Sequence, residues 1–128
     1  MSEPLTKAEL AVMSLLWQRG DRVTAREIRE TLYADSARPQ HGTVQKLLAN
    51  LETKRAVIRD KRAGTHFFKA SMSRQTYAGR QLELLAEGLT SGSFAPLITH
   101  LIENDKISID EIDNIIASLR TGRMGEQE

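Results

Sequence analysis

The sequence predicts a mostly α-helical chain with a short β-hairpin after its third helix. Three observations lead there. Aromatic residues make up only 5% of the chain, so the interior must be built largely from Leu, Ile, Val and Ala. Three segments carry the same helix-start signature, Thr6-Lys7-Ala8-Glu9, Thr24-Ala25-Arg26-Glu27 and Ser108-Ile109-Asp110-Glu111. In each, a hydroxyl can accept one free amide hydrogen while the carboxylate reaches back to another. Finally, Val44, Leu47, Leu48 and Leu51 recur at helical spacing and are followed by the basic run IRDKRAGTHFFKA.

The elements follow in order. Each signature is flanked by an apolar pair placed to clasp the first turn: Leu5 with Leu10, Val23 with Ile28, Ile107 with Ile112. Glu9, Glu27 and Glu111 thereby have structural work, which argues against catalytic roles for them. The first helix should run from about Lys7 to Arg19, bury Leu10, Met13, Leu16 and Trp17, and stop at Gly20. The second should run from about Ala25 to Ala34, with Ile28 and Leu32 inward. Pro39 should break the chain before a third helix that starts between Gln40 and Thr43 and ends near Lys54. Val57-Ile58-Arg59 and Thr65 to Lys69 read as two strands turning through Arg62-Ala63-Gly64. Helix, helix, helix, hairpin within seventy residues is a winged helix-turn-helix. Trp17, Phe67 and Phe68 are expected to pack in the core or hairpin.

Three further helices should follow Ser71. Ala78, Leu82, Leu85 and Leu89 form one apolar stripe at near-heptad spacing. Phe94, Leu97, Ile98, Leu101 and Ile102 form a second, after the Ser91-Gly92-Ser93 break. Ile112, Ile115, Ile116 and Leu119 form a third, and Thr121 to Glu128 reads as a frayed polar tail. Three short stripes are thin for an independent core. They are better buried against a second copy, so residues 71–121 are expected to be a C-terminal three-helix dimerisation region, with 1–70 as the winged domain and 122–128 as a flexible tail. A self-contained bundle is the alternative for the second region.

Composition removes whole classes of function. With no cysteine, there can be no disulfide, thiolate metal site or cysteine nucleophile. No leader-like N-terminus or membrane-spanning apolar run is present, so a soluble, cytoplasmic protein is expected. His41, His66 and His100 fall in three separate elements, and no phosphate loop, HExxH or nucleophile elbow occurs. The chain is therefore expected not to be an enzyme and to need neither metal nor cofactor. Charge is divided unevenly. Residues 1–70 hold 13 cations against 8 acids, whereas 71–128 hold 5 against 9. A basic front and an acidic back suit a protein whose front half meets a polyanion.

That polyanion is read from the third helix. Opposite its apolar stripe lie Gly42, Gln45, Lys46, Ala49, Asn50 and Thr53, small or hydrogen-bonding residues with one cation and no acid. Such a face suits the major groove of double-stranded DNA, with the hairpin on the adjacent backbone. Gln45, Lys46 and Asn50 are the candidates for base edges, with Thr43 touching a base or a phosphate, because Asn and Gln pair with adenine and Lys with guanine acceptors. Gly42 removes a side chain where the helix start approaches the duplex. Arg59, Lys61 and Arg62 on the wing, and Arg38, Gln40 and His41 before the helix, are candidates for phosphates. Arg26 and Arg29 could join them or remain solvated.

Over nearly its whole length the chain resembles the BlaI/MecI/CopY family of bacterial repressors. The pieces that carry the likeness are LTKAELAVMSLLW, TAREIRETL, TVQKLLANLETKRAV, the wing IRDKRAGTHFFKA and SGSFAPLITHLIENDKISIDEIDNIIASL. The resemblance implies a homodimer that binds a palindromic operator and shuts off transcription. It also implies release through a regulatory protease acting in the dimerisation region, or through metal binding to C-terminal cysteines. Three departures stand out. The cysteines are absent; the family's Asn–Phe cleavage pair aligns with Leu84–Leu85; and a usual Gly and Arg appear as Arg55 and Asn50. The rival function is a winged-helix module that assembles proteins without reading DNA.

Overall fold

A computed structural model describes residues 4–35 and 40–126, the last four of these for backbone only. Thr6 starts α1 (Lys7–Arg19) as expected: its hydroxyl accepts from the Glu9 amide at 3.2 Å, and its own amide donates to Glu9 Oε1 at 2.8 Å. Gly20 ends the helix at φ 69°, a left-handed conformation that glycine adopts without steric cost. Met13 and Leu16 are buried, but so are Val12 and Leu15, while Leu10 and Trp17 are only half-buried. The buried face of α1 is therefore wider than its simple periodicity suggested.

Val23 and Thr24 do double duty. Thr24 caps α2 (Ala25–Leu32) by accepting from the Glu27 amide at 3.1 Å, and the same two residues form a strand, β1 (Val23–Thr24). The Glu27 carboxylate does not close a full capping box; it meets the Thr24 hydroxyl at 3.2 Å and Arg19 at 3.1 Å. The helix stops at Leu32, two residues short of expectation. Helix α3 (His41–Thr53) follows, with Val44, Leu48 and Leu51 buried against a core that includes Met13, Leu16 and Ile28. Arg38 and Pro39 lie outside the described residues, so the expected break and the Arg38 contact fall there too.

The hairpin strands are longer than the sequence suggested: β2 (Val57–Arg62) pairs antiparallel with β3 (Thr65–Ala70) right up to the closing pair Arg62 and Thr65. Ala63 and Gly64 make the turn with φ of 51° and 81°, the pattern of a two-residue turn that matches strand twist. β1 adds to the other edge, Val23 opposite Phe68 and Thr24 opposite Phe67, giving the order β1-β3-β2. Phe68 is buried and Phe67 half-buried, consistent with packing roles.

After the sheet come α4 (Arg74–Thr90), α5 (Ala95–Glu103) and α6 (Ile109–Glu126). The chain divides into two compact units, Met1–Leu82 and Glu83–Glu128. The first extends past residue 70 because Trp17 and Leu5 hold the residues leading into α4 and its first turn. Trp17 Nε1 donates to the Met72 carbonyl at 2.9 Å, and the Leu5 amide donates to the Tyr77 hydroxyl at 3.2 Å. The Trp17 and Tyr77 rings lie 5.8 Å apart. In the second unit, Ser108 and Glu111 form the complete capping box expected of them, at 3.0 and 3.2 Å. One expectation needs correcting there. Residues 121–126, read as frayed tail, continue α6 as helix; Arg and Glu are good helix formers, and the two glycines do not break the backbone pattern.

Candidate nucleic-acid interface

Burial of Val44, Leu48 and Leu51 fixes which side of α3 faces out. Gly42, Thr43, Gln45, Lys46, Ala49, Asn50 and Thr53 are exposed together, as the periodicity required. Lys46 and the Asn50 side chain make no hydrogen bond or ion pair among the described residues, so both are available to a partner. The remaining members are lightly engaged. Gln45 Nε2 lies 3.5 Å from His41 Nε2, Thr43 donates to Gln40 Oε1 at 2.8 Å, and the Thr53 hydroxyl turns back to the Ala49 carbonyl at 3.1 Å. A Cβ added to Gly42 would meet nothing within 4 Å. No neighbour among the described residues accounts for that glycine.

The wing presents its cations unequally. Arg59 pairs with Glu52 of α3 and stands 5.4 Å over the Phe68 ring, so it ties the hairpin to the helix. Arg62 pairs with Asp60 at 3.0 Å, and Arg22 approaches the same Asp60 oxygen at 3.2 Å. Lys61 has no partner among the described residues. Beside the hairpin, a cleft of about 330 Å³ brings Gln45 and Arg59 together with Arg26 and His66. Arg26 is itself held by Glu30 at 2.9 Å. His66 was not singled out from sequence as part of this surface; its register opposite Lys61 is the signal that places it there.

A buried ion pair locks α3 from behind. Lys54 Nζ lies 2.7 Å from Glu9 Oε1, and it also donates to the Pro4 carbonyl at 3.2 Å. Burial by itself would push the Glu9 carboxyl up. The Lys54 hydrogen bond, the Thr6 amide and the Lys54 charge together outweigh it and hold the group below its ordinary value. Helix α3 ends in a Schellman turn, with the Ala56 amide bonded to the Leu51 carbonyl at 2.8 Å. Its left-handed residue is Arg55, at φ 60°.

The second unit presents a different surface. Ala86 is its one fully covered side chain among the described residues, a position outside the expected stripes. Leu97, Ile102 and Ile112 are half-buried, whereas Leu85, Leu89, Ile98, Leu101, Ile115 and Leu119 are between 41% and 69% exposed. Phe94 and Ile116 are exposed as well, joined by Leu84 and Ile109, which the periodic reading left out. In the first unit, Ala78 and Leu82 are also exposed. A single chain thus leaves many large apolar side chains of its second unit exposed.

A winged helix-turn-helix with a polar, acid-free face on its third helix defines the class, which is that of DNA-binding regulators. The chain belongs to the penicillinase repressor family: the model of that family, described as Penicillinase repressor, matches residues 5–121. Two relatives, each a "Transcriptional regulator BlaI" from a strain of Mycobacterium tuberculosis, are 34% identical over 122 residues, covering 89% of this chain and 83% of theirs. Among solved structures, MepR, a transcription regulator of the Staphylococcus aureus multidrug efflux pump MepA, is 21% identical with a TM-score of 0.47, over 97% of this chain and 81% of that one.

Proposed function

We propose that this chain is a sequence-specific DNA-binding transcriptional repressor that acts as a homodimer on a palindromic operator. The observation that carries the reading is the outward face of α3, where Lys46 and Asn50 stand unpaired beside Gln45 and Thr43. A second copy would cover the exposed Leu and Ile side chains of the second unit and set two such faces about one helical turn (~34 Å) apart. Base edges are read by Gln45, Lys46 and Asn50, each good contact discriminating by roughly 1–3 kcal/mol. Lys61, Arg62, Gln40, His41 and Arg38 meet phosphates, and Arg59 chiefly braces the wing. Family membership favours this over the assembly-module reading.

No helix among the described residues is long and apolar enough to cross a membrane. The working compartment under this reading is the cytoplasm, where the operator lies. A regulatory protease is the second partner of the family reading. Leu84 and Leu85 lie inside α4, and proteases cut extended, exposed backbone. Cleavage there would require the helix to unwind first.

The test is a set of binding titrations on the chain's own promoter fragment and on random duplex at several salt concentrations. Lys46→Ala or Asn50→Ala should weaken promoter binding far more than random binding. Arg62→Ala should weaken both and reduce the salt slope by about 1. Equal losses on both duplexes for Lys46→Ala would remove the base-reading role.

A further inference from the structure

We propose that a second cleft in the first unit binds a small organic anion with a flat apolar body, and that its occupancy loosens the grip on DNA. The cleft lies where the end of α1, the residues entering β1, the end of β3 and the start of α4 meet. Its volume is about 440 Å³, within the range of small-molecule sites. Leu16, Trp17 and Ala70 supply apolar lining, and the charge is one-sided: Arg22, Lys69 and Arg74 against Asp21 alone.

Two of these cations have no acidic partner. Among the described residues, Lys69 and Arg74 have no carboxylate within ion-pair distance; Arg74 instead stands 5.3 Å over the Trp17 ring. The Nε of Arg22 is buried without a well-formed hydrogen bond, although Asp60 lies 3.2 Å away. Under-neutralised cations beside an indole form a receptor for a carboxylate or similar anion carried on an aromatic or aliphatic plate. Lys69 and Ala70 end β3, five residues from the hairpin turn, which at ~3.3 Å per residue places that end of the cleft roughly 16 Å from the wing tip.

The coupling runs through one oxygen. Asp60 Oδ2 is shared between Arg22 of the cleft and Arg62 of the wing. An anion that takes Arg22 leaves the Asp60 carboxylate entirely to Arg62, where it competes with phosphate for that guanidinium. Linkage makes the effect reciprocal: duplex binding should weaken the ligand by the same factor. This half of the proposal rests on the DNA-binding reading, whereas binding in the cleft does not.

Trp17 is the only tryptophan in the chain, so its fluorescence reports on the cleft directly. The full-length protein is titrated with benzoate, with neutral benzamide and with sulfate, in parallel with calorimetry. Benzoate should saturate with a midpoint on the order of 1 mM, and benzamide and sulfate should bind at least about tenfold more weakly. Lys69→Gln, an exposed position, should weaken benzoate about threefold or more with the circular dichroism unchanged. Equal binding of benzamide and benzoate, or no saturation by benzoate, would overturn the site. Benzoate at saturation should then lower affinity for the promoter duplex about threefold in the natural chain and leave Asp60→Asn unaffected. Equal loss in both would overturn the coupling. Promoter preference measured without benzoate judges the repressor reading separately.

Discussion

Lys54 Nζ and Glu9 Oε1 sit 2.7 Å apart although 45 residues separate them, and the carboxylate is almost wholly buried. The pair fastens the end of the proposed recognition helix to the start of α1. Lys54→Met would strand a buried charge, at a cost of about 3 kcal/mol in urea unfolding. Glu9→Gln should cost less, because its amide oxygen can still accept from Thr6. The double variant should lose less than the two singles combined, since it leaves no unpaired ion. The pH dependence follows from the same site. The Glu9 carboxyl is held below 4.5 in the folded chain, so its stabilisation is complete above that value and disappears as pH falls through the folded pKa. Acid titration of stability should therefore be shallower below pH 4.5 in Glu9→Gln than in the natural protein.

Arg55 occupies a left-handed position, φ 60°, at the end of α3. Non-glycine residues pay roughly 1 kcal/mol there. Arg55→Gly should raise stability by about 0.5–1 kcal/mol, a melting-temperature gain of a few degrees. Arg55→Val, β-branched, should lower it. A loss of stability in Arg55→Gly would mean that the arginine side chain contributes more than its backbone costs.

Gly42 tells the opposite story. It stands in the first turn of a helix with no described residue near its missing Cβ, and helical glycine costs up to about 1 kcal/mol relative to alanine. Gly42→Ala should therefore stabilise the free protein while weakening promoter binding, because the close approach it permits is to the duplex. Unchanged promoter affinity would show that nothing approaches the helix start so closely.

Leu85 and Ile115 are each 51% exposed in the single chain. Leu85→Asp or Ile115→Asp should give monomers in sedimentation at micromolar concentration with little change in helix content. If either variant still sedimented as a dimer, the dimer interface would have to lie elsewhere.

Much of this was legible beforehand because it is written in short-range chemistry. The caps at Thr6, Thr24 and Ser108 need only residues three apart, and the outward face of α3 needs only its periodicity. What escaped depends on distant partners. Val23 and Thr24 are too few to read as a strand, and only Phe67 and Phe68 opposite them make them one. Glu9 showed its capping role but not Lys54, and Arg59 gave no sign that Glu52 and Phe68 would hold it. The cleft around Trp17 is assembled from four elements, so no motif announced it. Arg55 lies between: its departure from the family's glycine was visible, whereas its left-handed backbone was not.

The most direct measurement is helical phasing on the promoter. Two subunits clasped through their second units should bind one palindrome as a pair, with half-site centres about one turn, ~10 base pairs, apart. Inserting about five base pairs between the half-sites turns one of them to the far side of the duplex. The account predicts that this insertion abolishes paired binding and that a full ten-base-pair turn restores at least part of it. Affinity indifferent to the insertion, or one chain per duplex at saturation, would contradict it.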